Sequence, residues 1–381
     1  MYKIAIECHN LENKRWGIGR HLSKILEEIS KKPELAKEFR FYLYFKGFVP
    51  DDPYLQNPIF VKRILKLPFL HPSYNVFFHI LLPLACLRDK INATFFPGFM
   101  LPAFFLGKSL VVLANDIYYE YKTGNLPLRY RLGYMLFSNW AAKRATKITT
   151  FTESAKKEVS QIFKIKPERI IVNYLGIDNP KNFLIQNPIR QLMDTIQNYL
   201  LYTGQAFPRR RAKETIQAFE IIAPKFPDLK LVLVGQDKYN PPILNSLVRE
   251  TNQRLGGERV MHYDYIEKDE DLRSLVAGAK LFIYISTSEA MGLPPLEALA
   301  LGTPPLVKDN ELNKEIYEGN AFYVQDEINP RQIALAIEQA LSNREKAERI
   351  IQNSQHIVSK FDWSKHTEKL LQIFRELCLT H

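Results

Sequence analysis

The 381-residue chain predicts an α/β protein of two Rossmann-like, doubly wound domains facing a central cleft, and three observations carry that prediction. The first is length, because one hydrophobic core stops growing at about 250–300 residues and longer chains divide. The second is alternation: short β-branched or aromatic runs are followed by longer amphipathic stretches in both halves, the pattern of parallel sheets covered by helices. The third is that glycine-bearing loops follow the first strand of each half, at Gly17 and Gly19 and again at Gly204. A hydrophobic content of 46% and an aromatic content of 12% exclude a disordered chain.

In the first half, strands are expected over 2–8, 41–46, 59–63, 93–96, 110–114, 148–152 and 170–172. In the second they are expected over 199–203, 230–234, 260–262, 281–285 and 304–307. The stretch 176–198 is rich in Asn and Pro with weak periodicity, which marks a linker. The expected division is therefore an N-terminal domain over 1–178, a linker over 179–198, a second domain over 199–357, and a last helix over 358–381 packing back toward the first. Residues 74–87 carry Asn75, His79 and Pro83 within an apolar run and read as a buried helix of the first domain. No segment reaches the roughly 18 uncharged apolar residues of a membrane span. The opening MYKIAIE reads as a strand rather than a secretory leader, and Cys8, Cys86 and Cys378 show no metal-ligand spacing. A reducing cytoplasm is the expected compartment.

The net charge of +11 is unevenly spread. Residues 1–185 hold 28 Lys and Arg against 15 Asp and Glu, or +13, while the remaining 24 and 26 give −2. A basic half suits an anionic partner, either a phosphorylated acceptor or an anionic membrane surface that would hold the protein peripherally at its inner face. Nucleic acid is not expected, since no recognition motif accompanies the charge.

Four loops carry candidate chemistry. After the strand at 281–285, Pro294 and Pro295 suit the first turn of a helix, where a missing N–H costs little, and Gly302 suits its end. Ala290, Met291, Gly292 and Leu293 then offer backbone N–H groups at a helix N-terminus, an anion site apt for a diphosphate. Glu289 and Glu297 flank that turn, one placed for a sugar and the other for the two hydroxyls of a ribose. After the strand at 199–203, Gly204 leads into Arg209 and Arg210, fixed cations suited to the charge that grows on a departing diphosphate. The loop with Gly17, Gly19 and Arg20 lets backbone approach donor or acceptor phosphates. Asn115 and Asp116 follow the strand at 110–114, and the aromatic-basic stretch 118–131, with Arg129 and Arg131, reads as an acceptor side. Metalloprotease, P-loop, zinc-ribbon and nucleophile-elbow motifs are absent from the sequence.

The run from Glu289 to Pro304 resembles the signature of glycosyltransferase family 4, E-G-F-G-L-P-x-x-E-A-M-A-x-G-x-P, with Ala290 and Met291 where Gly and Phe are usual. The run Gly204 to Arg211 resembles that family's G-x-x-x-P-R-K-N loop, and Arg15 to His21 its G-G-I-G-R-Y loop. Asn115-Asp116 stands where many members carry His-Asp, and Phe361-Asp-Trp363 is similar to the closing F-x-W. The resemblance covers nearly the whole chain and implies the GT-B fold and retaining transfer of a hexose from a nucleotide-diphosphate sugar to a glycan or lipid-linked glycan. Among donors GDP-mannose is favoured, with UDP-sugars open. The implied catalytic residues are Glu289, Arg210, Asn115 and Asp116, with Glu297 on the ribose. No metal and no cofactor are implied, the nucleotide sugar being a substrate. The alternative is a non-catalytic nucleotide-sugar-binding or partner subunit of a glycan-assembly system.

Overall fold

A computed structural model describes residues 1–12, 17–67, 72–115, 119, 127–178 and 198–379. They fall into two compact units. Unit 1 takes the described residues up to Gly176 and those from Phe361 onward, and unit 2 takes the described residues of Ile177–Lys360.

Unit 1 is built on β1 (Tyr2–Glu7), β2 (Phe39–Phe45), β3 (Phe60–Ile64), β4 (Ala93–Phe96), β5 (Ser109–Val112), β6 (Lys147–Thr150) and β7 (Ile170–Val172). Their order is β3-β2-β1-β4-β5-β6-β7, with every neighbouring pair parallel. All four residues of β4 and of β5 are buried, as expected of strands covered on both faces. Strand alternation sends Ile4 and Ile6 into one hydrophobic layer and Ala5 into the other. Helix α1 (Ile18–Ser30) buries Leu22, Ile25, Leu26 and Ile29 at helical spacing in the first layer. The second layer receives α2 (Leu82–Arg88), α3 (Leu128–Arg144) and α4 (Glu153–Phe163).

Two of these helices depart from the expected pattern. The helical run over 74–88 is only half buried: Phe77, Phe78, Leu82 and Cys86 face the core, but Ile80, Leu84 and Leu87 are exposed. The expected helix is present with one face in the core, and its second face is exposed, since apolar composition alone does not say how many faces have partners. Helix α3 buries small residues, Ser138, Ala141 and Ala142, and leaves Leu128, Leu132 and Leu136 in solvent.

Unit 2 repeats the plan. Its strands are β8 (Tyr199–Thr203), β9 (Lys230–Val234), β10 (Val260–Tyr263), β11 (Leu281–Tyr284), β12 (Pro305–Lys308) and β13 (Phe322–Val324). The order β10-β9-β8-β11-β12-β13 is again parallel throughout and again reverses direction beside the first strand. Its helices are α5 (Ala212–Ile222), α6 (Leu244–Leu255), α7 (Asp269–Ala277), α8 (Leu293–Ala300), α9 (Glu311–Tyr317), α10 (Pro330–Ser342), α11 (Arg344–Gln352) and α12 (Ser354–Val358). Helix ends are set locally: the Thr152 hydroxyl accepts from Ala155 N–H at the start of α4, and Asn310 does the same for Asn313 at the start of α9.

The last helix, α13 (Trp363–Leu379), belongs to unit 1. Leu370, Leu371, Phe374 and Leu377 join the layer that holds α1. At its start His366 places Nε2 at 2.9 Å from Nε2 of His21, and its Nδ1 lies 2.8 Å from the Tyr174 carbonyl. His366 therefore donates through Nδ1 and accepts from His21. Burial, with each ring near the other, holds His21 well below the ordinary imidazole range, and burial brings His366 down to about 4. The backbone at Gly176 runs so close to Trp363 that a Cβ there would lie 2.3 Å from the Trp363 nitrogen. No helix among the described residues is long and apolar enough to cross a membrane.

Candidate functional site

In open parallel sheets, ligands bind beyond the carboxyl ends of the strands where the order reverses. In unit 2 that place lies between β8 and β11, and both loops are dense with polar groups. β8 leads through Gly204 into a short turn over Pro208–Arg210, and β11 leads through Ile285 into residues 286–292 and then α8. Thr287 N–H donates to the Arg209 carbonyl at 2.8 Å and Arg211 Nε to Thr287 Oγ1 at 2.9 Å, which ties one loop to the other.

At the centre lies Glu289, its side chain 10% exposed. Its Oε1 accepts from Arg209 Nη1, from Arg210 Nε at 2.8 Å, from the Tyr284 hydroxyl at 3.0 Å and from Ser286 Oγ at 3.0 Å. Burial by itself pushes this carboxyl up, but Arg209 and Arg210 outweigh it and hold it at about 2. The carboxylate in turn keeps the buried Arg210 guanidinium protonated against its own desolvation. Arg209 also donates to the Ser288 carbonyl at 3.0 Å, and Arg210 to the Gln205 carbonyl at 3.2 Å. The Tyr284 hydroxyl, pushed up by burial, remains a donor. Two cations and one anion leave this cluster with a net positive charge.

Glycine is required where backbones crowd this cluster. Gly235, at the end of β9, has φ +144°, and a Cβ there would lie 2.0 Å from the Gly204 carbonyl oxygen. Gly292 caps α8 with φ +73°, and a Cβ on it would sit 3.8 Å from Glu289 Cβ. The helix N-terminus and the charged cluster are thus neighbours. Because residues 294 and 295 are prolines, Gly292 and Leu293 supply the N–H groups of that cap and first turn. Ala290 and Met291 are buried in the turn, and Glu297 is half-buried on α8.

Unit 1 places its candidates separately. Gly17, with φ +45°, is the N-cap of α1, Gly19 is buried in its first turn, and Arg20 is partly exposed there. Asn115 is buried, and its Nδ2 donates to Glu158 Oε2 at 2.9 Å. Asp116 lies outside the described residues, as does most of the stretch 118–131. Arg129 is exposed, with its guanidinium 4.8 Å over the Tyr130 ring, and Arg131 is half-buried. Sequence reasoning did not identify Tyr284 and Ser286 as partners of Glu289, nor the close approach at Gly235. The signal for the last was a glycine directly after a strand.

The two-unit architecture with this repeated strand order is the GT-B fold. WaaG, a glycosyltransferase involved in lipopolysaccharide biosynthesis, superposes with a TM-score of 0.72 at 19% identity, covering 98% of this chain and 99% of its own. HepE of Anabaena, solved with UDP and glucose, gives 0.71 at 18% identity over 99% and 100%. Residues 187–357 match the family model of glycosyl transferases group 1. The O-antigen chain mannosyltransferase B of Escherichia coli is 26% identical over 98% of this chain and 100% of its own length. The O-antigen chain mannosyltransferase RfbU of Salmonella typhimurium is 22% identical over 58% of each. Together the family match and these relatives support a glycosyltransferase.

Proposed function

We propose that the protein is a retaining, metal-independent hexosyltransferase that moves mannose from GDP-mannose, or a hexose from a UDP-sugar, to a glycan or lipid-linked glycan. The observation that carries this reading is the Glu289 carboxylate, held ionised between Arg209 and Arg210 beside the N-terminus of α8. A donor diphosphate brings charge-assisted hydrogen bonds to the same guanidinium groups. As the bond from the sugar to the phosphate breaks, negative charge grows on the departing oxygen, and buried cations stabilise that state more than the starting one. That phosphate oxygen can itself take the acceptor proton, so retention requires no side-chain base. Glu297 is assigned to the ribose and Glu289 to the transferred sugar, on the resemblance of their loop. The choice of mannose rests on the names of the two O-antigen relatives.

The test is binding and slow hydrolysis across a panel of nucleotide sugars, with Glu289→Ala and Glu297→Ala beside the wild type. Selective turnover of one donor, lost in the first variant and with weakened binding in the second, is expected. Absence of binding to every donor would overturn the reading. Asn115, standing where the resemblance has His and donating its amide to Glu158, favours a second reading: a nucleotide-sugar-binding subunit without turnover. Tight donor binding with no hydrolysis, with or without a lipid-linked acceptor, would select it.

A further inference from the structure

Where the strand order of unit 1 reverses, beside β1 and β4, the end of β1 holds a carboxyl group outside the chemistry described above. Glu7 is 2% exposed, and its Oε1 accepts from the His9 N–H at 2.9 Å. From Cys8 the chain turns through His9–Leu11. Leu11 N–H donates to the Cys8 carbonyl at 3.0 Å and Glu12 N–H to the His9 carbonyl at 3.1 Å. The His9 ring lies 5.0 Å from the Tyr74 ring and 6.2 Å from the Phe77 ring. Glu12 ends the turn: its side chain accepts from the Gly47 N–H at 3.0 Å, just past β2, and lies 3.7 Å from His9 Nδ1. The turn packs against α1, and Leu11 shares a hydrophobic layer with Leu22 and Ile25. Beyond β4, a Cβ on Gly98 would lie 3.6 Å from Ile18 Cδ1, so the start of α1 is held from that side as well.

A hydrogen-bond acceptor at this place need not be a carboxyl. An amide or hydroxyl oxygen takes a backbone N–H without the risk of burying a charge. Among the described residues, the titratable groups around Glu7 are Cys8 on its own strand, His9 and Glu12 on the turn, Tyr74 on the helical run and Lys46 past β2. Lys46 acts on His9, whereas the charge that acts on Glu7 is that of Glu12. Burial raises Glu7 to about 7, with the bond from His9 opposing and the Glu12 charge adding. Across neutral pH the group therefore passes from a neutral acid that suits its surroundings to a buried anion beside Glu12. The turn is where that anion finds relief, because His9 is partly exposed and bonded to it. We infer that Glu7 is a positioning residue: its carboxyl sets the His9–Leu11 turn, and through it the start of α1 with Gly17, Gly19 and Arg20. Protonated Glu7 keeps the turn and the helix start in place, and ionised Glu7 loosens both. The effect on turnover rests on the donor reading, in which that helix start meets a phosphate. The effect on the turn stands without it.

The test is deuterium uptake over residues 8–12 and 18–24, corrected for the intrinsic pH dependence of exchange, beside turnover of GDP-mannose and the UDP-sugars. From about pH 6 to about pH 8 the neutral fraction of Glu7 falls about tenfold, so wild-type kcat should fall by about that factor with the donor KM unchanged. Protection of the turn should fall with it. Glu7→Gln keeps the acceptor oxygen without the titration. It should match wild type at the acid end, exceed it about tenfold in kcat at the alkaline end, and show uptake independent of pH. Glu12→Gln removes the neighbouring charge and should move the wild-type midpoint to lower pH, which decides the matter should Glu7→Gln fail to fold. Uptake that stays flat in wild type would overturn the proposal, and so would a kcat indifferent to a turn that loosens. Turnover lost at every pH in Glu7→Gln would also overturn it, by showing that the ionised group itself acts. If no nucleotide sugar is turned over, the donor reading has failed, and uptake alone decides this one.

Discussion

The two units share one strand order and differ in what they hang on it. In unit 2 the loops after β8 and β11 converge on a buried, ion-paired cluster, and the family match over 187–357 falls on this part of the chain. In unit 1 the corresponding strand ends, of β1 and β4, carry other groups. Glu7 is buried at the end of β1 and accepts from His9 N–H at 2.9 Å, and burial raises it to about 7. The fold therefore supplies a place for chemistry, and a few loop residues decide what kind. Unit 2 holds the Glu289 carboxylate ionised by pairing it, whereas in unit 1 burial holds His21 and His366 neutral and raises Glu7. That difference can be tested unit by unit, because the described tryptophans, Trp140 and Trp363, lie in unit 1 and circular dichroism reports on both.

The largest effect is expected at the ion-paired cluster. Glu289→Ala leaves two buried guanidinium groups facing each other, which should cost unit 2 about 3–5 kcal/mol and turnover on the order of 10²–10³-fold. Urea unfolding should show an early transition by circular dichroism that tryptophan fluorescence does not follow. Coincident transitions would mean that the contrast between the units is not expressed in their stabilities.

Acid should separate the units next. His366 is depressed from 6.5 to about 4, so between those values the unfolded chain binds more protons and unit 1 loses stability as pH falls. His21 acts in the same direction. Glu7, raised from 4.5 to about 7, acts in the opposite direction over pH 7 to 4.5 and offsets roughly one imidazole. The Glu289 carboxylate, depressed from 4.5 to about 2, contributes stability that is complete above 4.5 and is lost as pH falls through 2. Tryptophan fluorescence should thus report unit 1 loosening as pH falls from about 6 to 4, ahead of unit 2. Replacing both histidines with a buried apolar pair should flatten or invert that slope. A slope that persists would assign it elsewhere.

The smallest effect compares matched helix caps. Thr152→Ala in unit 1 and Asn310→Ala in unit 2 should each cost about 1 kcal/mol by removing one acceptor from a helix N-terminus. Each loss should appear in the unfolding midpoint of its own unit, and a loss shared equally by both probes would count against separate unfolding.

Much of the fold was legible because parallel strands covered on both faces leave continuous apolar runs. Ala93–Phe96, Ile170–Val172, Tyr199–Thr203 and Lys230–Val234 stand with the bounds read from sequence. Phe322–Val324 was missed because three residues carry too little alternation to register. The exposed stripe of the 74–88 helix was not legible, because an apolar side chain does not announce whether it has a partner. In the candidate site, the glycines and the cationic run were visible as local patterns. The pairing of Arg209 with Glu289, 80 positions apart, was not. Nor were the hydroxyls of Tyr284 and Ser286, which sit at a strand end where sequence reads only core.

Helix α13 gives unit 1 an order of assembly. Its leucines and Phe374 complete the layer under α1, yet the ribosome makes them after every residue of unit 2. At about 5–20 residues per second, the 184 residues of Ile177–Lys360 separate the synthesis of Gly176 from that of Phe361, where the last part of unit 1 begins, by roughly ten to forty seconds. During that interval Leu22, Leu26 and Phe95 lack the side chains that cover them in the finished protein. The unit made first is thus the one finished last, and a nascent chain depends on unit 2 being complete before its own beginning is safe from aggregation.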